Sequence, residues 1–137
     1  MLGNRPNSNY GTATVLGTDD LPDILSFLKF DVSGLDGNVS SATLRIFMTS
    51  GGQAFAVAQV ADNSWSQATI TYNTAPIVGT VISNSGTAVS GSWIEIDVTS
   101  YINGDGTFSL ALLADAAGRN LFNSRESGKA PEVVIER

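Results

Sequence analysis

The feature that most narrows what this chain can fold into is a two-residue apolar period, which recurs in short runs and never gives way to a helical one. In residues 42–48, Leu44, Ile46 and Met48 fall on one side and Thr43, Arg45 and Phe47 on the other, so Arg45 shares its face with an aromatic ring. In residues 93–98, Ile94, Ile96 and Val98 oppose Trp93, Glu95 and Asp97, the pattern of a half-buried strand with an acidic outer face. Residues 24–31, ILSFLKFD, fill both alternation sets and predict a strand covered on both sides, with Lys29 its one basic residue. Residues 53–60 alternate Phe55 and Val57 with alanines. Further strands are expected over 12–16, 69–72, 77–85, 107–113, 121–126 and 132–136, the last with Val133 and Ile135 on one face. Gly51-Gly52 and the stretch 103–106 supply turns, and Thr99 or Ser100 offers a cap for a single helical turn over 99–102.

Roughly nine or ten short strands, spaced near the 8–12 residues of sandwich folds, predict an all-β fold. The expected architecture is an antiparallel two-sheet β-sandwich of Greek-key or jelly-roll type, formed by residues 1–137 as a single domain. No internal repeat of solenoid length is visible.

Composition removes whole classes of chemistry. The chain has no Cys and no His, which excludes disulfide frameworks, thiolate zinc sites, serine triads and imidazole–metal centres. Thirteen acidic against seven basic residues give a net charge of −6, with no electrostatic footprint for nucleic acid or an anionic membrane. No apolar run is long enough to span a bilayer as a helix, and the N-terminus lacks a signal-peptide pattern. The 14 glycines, abundant Ser, Thr and Asn and scarce Lys are usual in secreted bacterial modules. The stretch 17–23 concentrates Asp19, Asp20 and Asp23 in an expected turn, an oxygen-rich arrangement that suits a hard cation such as Ca2+, although a solvated acidic turn explains it equally well. Near the end, Ser124-Arg125-Glu126 precedes the closing strand, and this charged pair either locks the last edge or projects towards a ligand.

Several stretches taken together carry a family likeness. In order they are Asn9-Tyr10-Gly11, then Phe27-Leu28-Lys29-Phe30-Asp31-Val32-Ser33, then Ala42-Thr43-Leu44-Arg45, then Trp65-Ser66-Gln67. They continue with Thr71-Tyr72-Asn73-Thr74-Ala75-Pro76, Trp93-Ile94-Glu95-Ile96-Asp97-Val98-Thr99 and Ser124-Arg125-Glu126 ahead of Pro131. The series resembles the DNRLRE-domain family, which overlaps carbohydrate-binding module family 96. The resemblance implies a non-catalytic β-sandwich module appended to a secreted polysaccharide-degrading enzyme, with alginate among the glycans bound. Met1-Leu2 replaces the Asp-x-x-Val-like first strand of that family, which implies a truncated first strand. The eponymous hexapeptide is absent, and Gln67 stands where an acidic residue is common.

Binding a uronate polymer requires aromatic faces for sugar C–H groups and cations for carboxylates. The candidate cations are Lys29, Arg45, Arg119, Arg125 and Lys129, and the candidate platforms are Trp65, Tyr72 and Trp93. In a chain of net −6 the cations must cluster, because the overall field repels a polyanion. Lys29 and Arg45, on consecutive strands, are expected side by side on one sheet face, with Arg125 joining if its strand is adjacent. The competing expectation is a spacer or adhesion module in which these cations sit in buried ion pairs. A catalytic reading of Glu95 and Asp97 as a glycosidase pair, or of Tyr72 or Tyr101 beside Arg45 as a lyase site, lacks any mark of a cleft. The module is expected to act as a monomer, outside the cell, beside a neighbouring catalytic domain.

Overall fold

The computed structural model describes residues 15–20, 23–35, 39–86, 88–115, 118–124 and 128–136, without the side chains of Val15, Asp20 and Asp23. Ten strands and no helix occur among these residues: β1 (Val15–Asp20), β2 (Asp23–Ile24), β3 (Ser26–Val32), β4 (Ser41–Ser50), β5 (Phe55–Val60), β6 (Val81–Asn84), β7 (Ser92–Asp97), β8 (Gly106–Ala114), β9 (Asn120–Asn123) and β10 (Glu132–Glu136). One sheet runs β10-β4-β9-β1-β2, with β7 on the other edge of β4, and the second runs β3-β8-β5-β6. Every pairing is antiparallel, so the expected two-sheet sandwich is what forms.

The centre of the six-stranded sheet is β4, whose inward residues Ala42, Leu44, Ile46 and Met48 are all fully buried. On one side it pairs with β10 and then β9, and on the other with β7. Ile94 and Ile96 from β7 and Phe122 from β9 extend its inner face. From the facing sheet come Leu28, Phe55, Val57, Leu110 and Leu112, and the Phe55 and Phe122 rings meet edge to face at 4.8 Å across the layers. Val133 and Ile135 pack against this core as their alternation predicts.

Five local expectations are corrected. The run 24–31 is not one strand: it breaks at Leu25, leaving Ile24 in the six-stranded sheet and Ser26 onward in the other. Ser26 explains the crossing, since its hydroxyl donates to Gly17 O at 2.8 Å and accepts from Gly17 N–H at 3.0 Å, which ties the two sheets at this edge. The acidic stretch is not a seven-residue turn, because β1 continues to Asp20 and pairs directly with Asp23–Ile24. Residues 69–72 form turns rather than a strand, since the backbone is captured locally: Ile70 N–H reaches the main-chain carbonyl of Ser66 at 2.9 Å, Ala68 N–H reaches the Ser66 hydroxyl at 3.2 Å, and Thr71 and Thr74 bond each other through hydroxyl and amide groups. The strand expected over 121–126 runs Asn120–Asn123 instead. The turn at 99–102 does form, closed by Ile102 N–H on Val98 O, but Asp97 rather than Thr99 accepts its first amide. The expected truncated first strand, together with residues 125–127, lies outside the described residues.

Asn120 closes the junction between the layers. Its buried Oδ1 accepts from Gly52 N–H at 3.1 Å and Gln53 N–H at 3.0 Å, while Nδ2 donates to Thr18 Oγ1 at 3.2 Å and Gln53 O at 2.8 Å. All four valences of the amide are therefore used. Gly51 makes this approach possible: its φ is +108° and any Cβ there would collide with Asn120 Oδ1. Replacing Asn120 by Ala removes the acceptor of two part-buried amides, those of Gly52 and Gln53, and leaves a cavity at a buried position; the expected loss is about 2–3 kcal/mol, a fall of roughly 10 °C in Tm by calorimetry. An unchanged Tm would show that water replaces the amide at no cost.

Candidate functional site

Strand alternation leaves Thr43, Arg45 and Phe47 of β4 on the outer face of the six-stranded sheet. Across one edge, the partners of Arg45 and Phe47 are Glu95 and Trp93 of β7, and across the other edge Arg45 faces Glu132 of β10. The side chains meet as this register dictates. Arg45 Nε lies 3.3 Å from Glu95 Oε2, its Nη1 bonds Glu132 Oε1, and its guanidinium sits 4.6 Å from the centroid of the Trp93 ring. Trp93 meets Phe47 edge to face at 5.6 Å, and Lys129 Nζ lies 3.9 Å from the Phe47 centroid. Two half-buried rings and two cations thus form one array, Lys129–Phe47–Trp93–Arg45, on a surface rimmed by Glu95 and Glu132.

The outer face of the four-stranded sheet is built differently. Most of its outward residues in β5 and β8 are small, Val60 and Leu113 excepted, and Ala56, Ala58, Ser109 and Ala111 are buried although they point away from the core. Trp65, on the loop after β5, lies against them: its ring meets Phe27 edge to face at 6.0 Å and its Nε1 donates to Ser109 Oγ at 3.0 Å. Lys29 fastens this loop. Its Nζ donates to Asn63 O at 2.9 Å and to Trp65 O, and stands 4.4 Å from the centroid of the Trp65 ring. Ser109 Oγ donates to Asn63 Oδ1, and Asn63 Nδ2 to Thr107 O at 3.0 Å, so the loop is stitched to β8 as well.

Lys29 and Arg45 consequently do not lie side by side, because β3 and β4 belong to different sheets and their outward residues face opposite ways. Alternation assigns a residue to the inside or outside of its sheet, but not to one sheet or the other. Lys29 is engaged by main-chain carbonyls rather than by the carboxylates of a buried ion pair, and the Arg45 pairs are partly exposed. Arg119 is remote from both, with Nε 3.1 Å from the carboxylate of Asp19. That ion pair engages one of the three expected calcium ligands, and the side chains of Asp20 and Asp23 lie outside the described residues, as do Arg125 and Glu126. Among the described residues, no group of three or more carboxylates is placed to hold a metal ion. Tyr72 is half-buried in the turns after Trp65. Tyr101 stands away from Arg45, its hydroxyl donating to Val60 O at 3.0 Å and its ring meeting Phe108.

Glu132, on the rim of the array, is the residue that the sequence pattern does not reveal, since only the register of β10 on β4 sets it opposite Arg45. Phe47 was legible from its place two residues after Arg45. Glu132 also borders a cleft of about 440 Å³ between the end of β3 and β10, lined by Phe30, Asp31, Val32, Pro131 and Val133 among others.

The model of carbohydrate-binding module family 96 matches residues 2–137, essentially the whole chain. No curated protein matches it.

Two exposed carboxylates on these faces titrate low. Asp97 is held below the ordinary carboxylate value by the hydroxyl and then the amide of Thr99, and Asp62 by the hydroxyl and amide of Ser64, with Lys29 adding a smaller attraction. A carboxyl lowered in the folded state adds stability above its unfolded pKa, and that contribution disappears as pH falls through the lower, folded value. Carbon-detected NMR titration is expected to show Asp97 titrating below 3.8, and Thr99→Val is expected to raise it towards that value. An Asp97 midpoint unmoved by Thr99→Val would contradict this assignment.

Proposed function

The chain belongs to carbohydrate-binding module family 96, and from that premise we propose that it binds an acidic polysaccharide such as alginate on the outer face of its six-stranded sheet. The observation that carries this reading is the continuous array of Lys129, Phe47, Trp93 and Arg45. Sugar rings offer C–H faces that suit Trp93 and Phe47, and uronate carboxylates suit the two cations standing over those rings. In a chain of net −6 the favourable field for a polyanion must be local, and this face brings two of the seven basic residues together. The contacts holding the array are individually weak, about 0.5–1 kcal/mol for an exposed cation–π pair and about 0–1 kcal/mol for an exposed ion pair, so a ligand can replace them.

The proposal extends to context. The module works outside the cell, as a monomer, and holds a neighbouring polysaccharide-cleaving domain on its substrate. The Gly-, Ser-, Thr- and Asn-rich, lysine-poor composition supports a secreted setting. A Ca2+ ion near Asp19, Asp20 and Asp23 would be structural rather than part of this glycan face. A spacer or adhesion role is favoured by one specific feature, the Glu95–Arg45–Glu132 row that joins β7, β4 and β10.

Affinity electrophoresis and calorimetry against alginate, pectate and a neutral glucan decide between the two. The binding reading predicts retardation by a uronate polymer, weakening with salt. Trp93→Ala and Arg45→Ala are each expected to weaken it by about tenfold or more, while Ile77→Ser, at an exposed position outside this array, leaves it unchanged. Absence of retardation by all three polymers would overturn the reading in favour of the spacer.

A further inference from the structure

Resting on the reading just given, we infer that Glu132 is an internal competitor for the ligand's carboxylate, so that the module sets its own affinity for polyuronates through an exchangeable ion pair. The geometry around Arg45 carries the argument. A guanidinium offers two edges on which a carboxylate can sit in two-pronged fashion, one including Nε and the other including Nη1. In this structure Glu95 holds the first edge at 3.3 Å and Glu132 the second. A uronate arriving at Arg45 meets both edges already taken by carboxylates of the protein.

Glu95 is also exposed, at 64%, so what singles out Glu132 is its side of the array: Lys129, whose Nζ lies over Phe47, precedes it by three residues and would hold a ligand beside it. Glu95 lies on β7, which pairs with β4 along six residues from Thr43 to Met48. Glu132 opens β10, like β7 an edge strand among the described residues, directly after Pro131. With the Glu132 side chain 48% exposed, its departure returns a carboxylate to water at little cost. The ligand's carboxylate then takes the vacated edge of Arg45 beside the Trp93 ring. The exchange conserves the charge pairing of Arg45, so its net driving force comes from the sugar contacts and from Lys129. A neutral glycan gains nothing from such an exchange.

Competition is separable from the simple loss of a negative charge. Glu136 lies on the same outward face of β10 but four residues further on, about 13 Å along the strand, beyond the Debye length of about 8 Å in physiological salt. Calorimetry of alginate oligosaccharides at physiological salt, on the wild type, Glu132→Gln and Glu136→Gln, tests the inference. The expected result is a gain of about two- to fivefold in affinity for Glu132→Gln, with Glu136→Gln close to wild type and neutral-glucan binding unaffected by either. Equal gains from the two variants, or an unchanged or weaker Glu132→Gln while the wild type binds, would overturn the competitor role and leave the binding face standing. No binding by either the wild type or Glu132→Gln would overturn both. Thermal unfolding of Glu132→Gln is read alongside, and wild-type uronate binding joined to a large drop in its Tm with no gain in affinity would assign the residue to structure alone.

Discussion

Everything on the candidate binding face depends on the strict alternation of β4. Its four inward side chains, Ala42, Leu44, Ile46 and Met48, are fully buried, and burial of a large apolar side chain is worth roughly 1.5–3 kcal/mol. Its outward contacts, an exposed ion pair here and a cation over a ring there, are worth about 1 kcal/mol or less each. A slip of one residue would exchange the two sets, and the inward set decides the register by a wide margin. The positions of Arg45 and Phe47 are therefore fixed by residues that never touch a ligand. Because β4 is paired on both edges, the same register carries Trp93 and Glu95 to one side and Glu132 to the other.

The two outer faces of the sandwich illustrate opposite uses of the same residue types. Each has a tryptophan, a phenylalanine at an edge-to-face distance and a cation over the indole. On the four-stranded sheet the cation's hydrogen bonds go to main-chain carbonyls of the loop that carries the tryptophan, and the buried alanines beneath leave room for that loop. There Lys29 serves as a fastener. On the six-stranded sheet the tryptophan belongs to a strand, and its cation is held by two exposed carboxylates instead. A main-chain carbonyl is fixed by the fold, whereas a surface carboxylate is free to leave, so only the second arrangement can hand its cation to another molecule.

Strand periodicity made much of this legible. The alternation in 42–48 and 93–98 placed Arg45, Phe47, Trp93 and Glu95 on outer faces correctly, and the closing strand appears where Val133 and Ile135 put it. What periodicity lacks is any information about which strands become neighbours. The pairing of Lys29 with Arg45 failed for that reason, since Ser26 ties the start of β3 to Gly17 across the layers and sends the strand into the opposite sheet. Glu132 was hidden for the same reason, as nothing in its local sequence reports a partner 87 residues away. The turns at 69–72 were misread because Thr and Tyr favour strands, and the local hydroxyl bonds of Ser66, Thr71 and Thr74 outweighed that preference.

The claim that the six-stranded sheet carries the glycan site is most directly tested by locating a bound ligand on the labelled protein. In a proton–nitrogen correlation titration with alginate oligosaccharides, the account predicts saturable shifts in the Trp93 indole and in the amides of residues 43–47, 93–97 and 129–134, with the Trp65 indole unmoved. Shifts centred on Trp65, Lys29 and Asn63, with Trp93 silent, would place the ligand on the other face and contradict it.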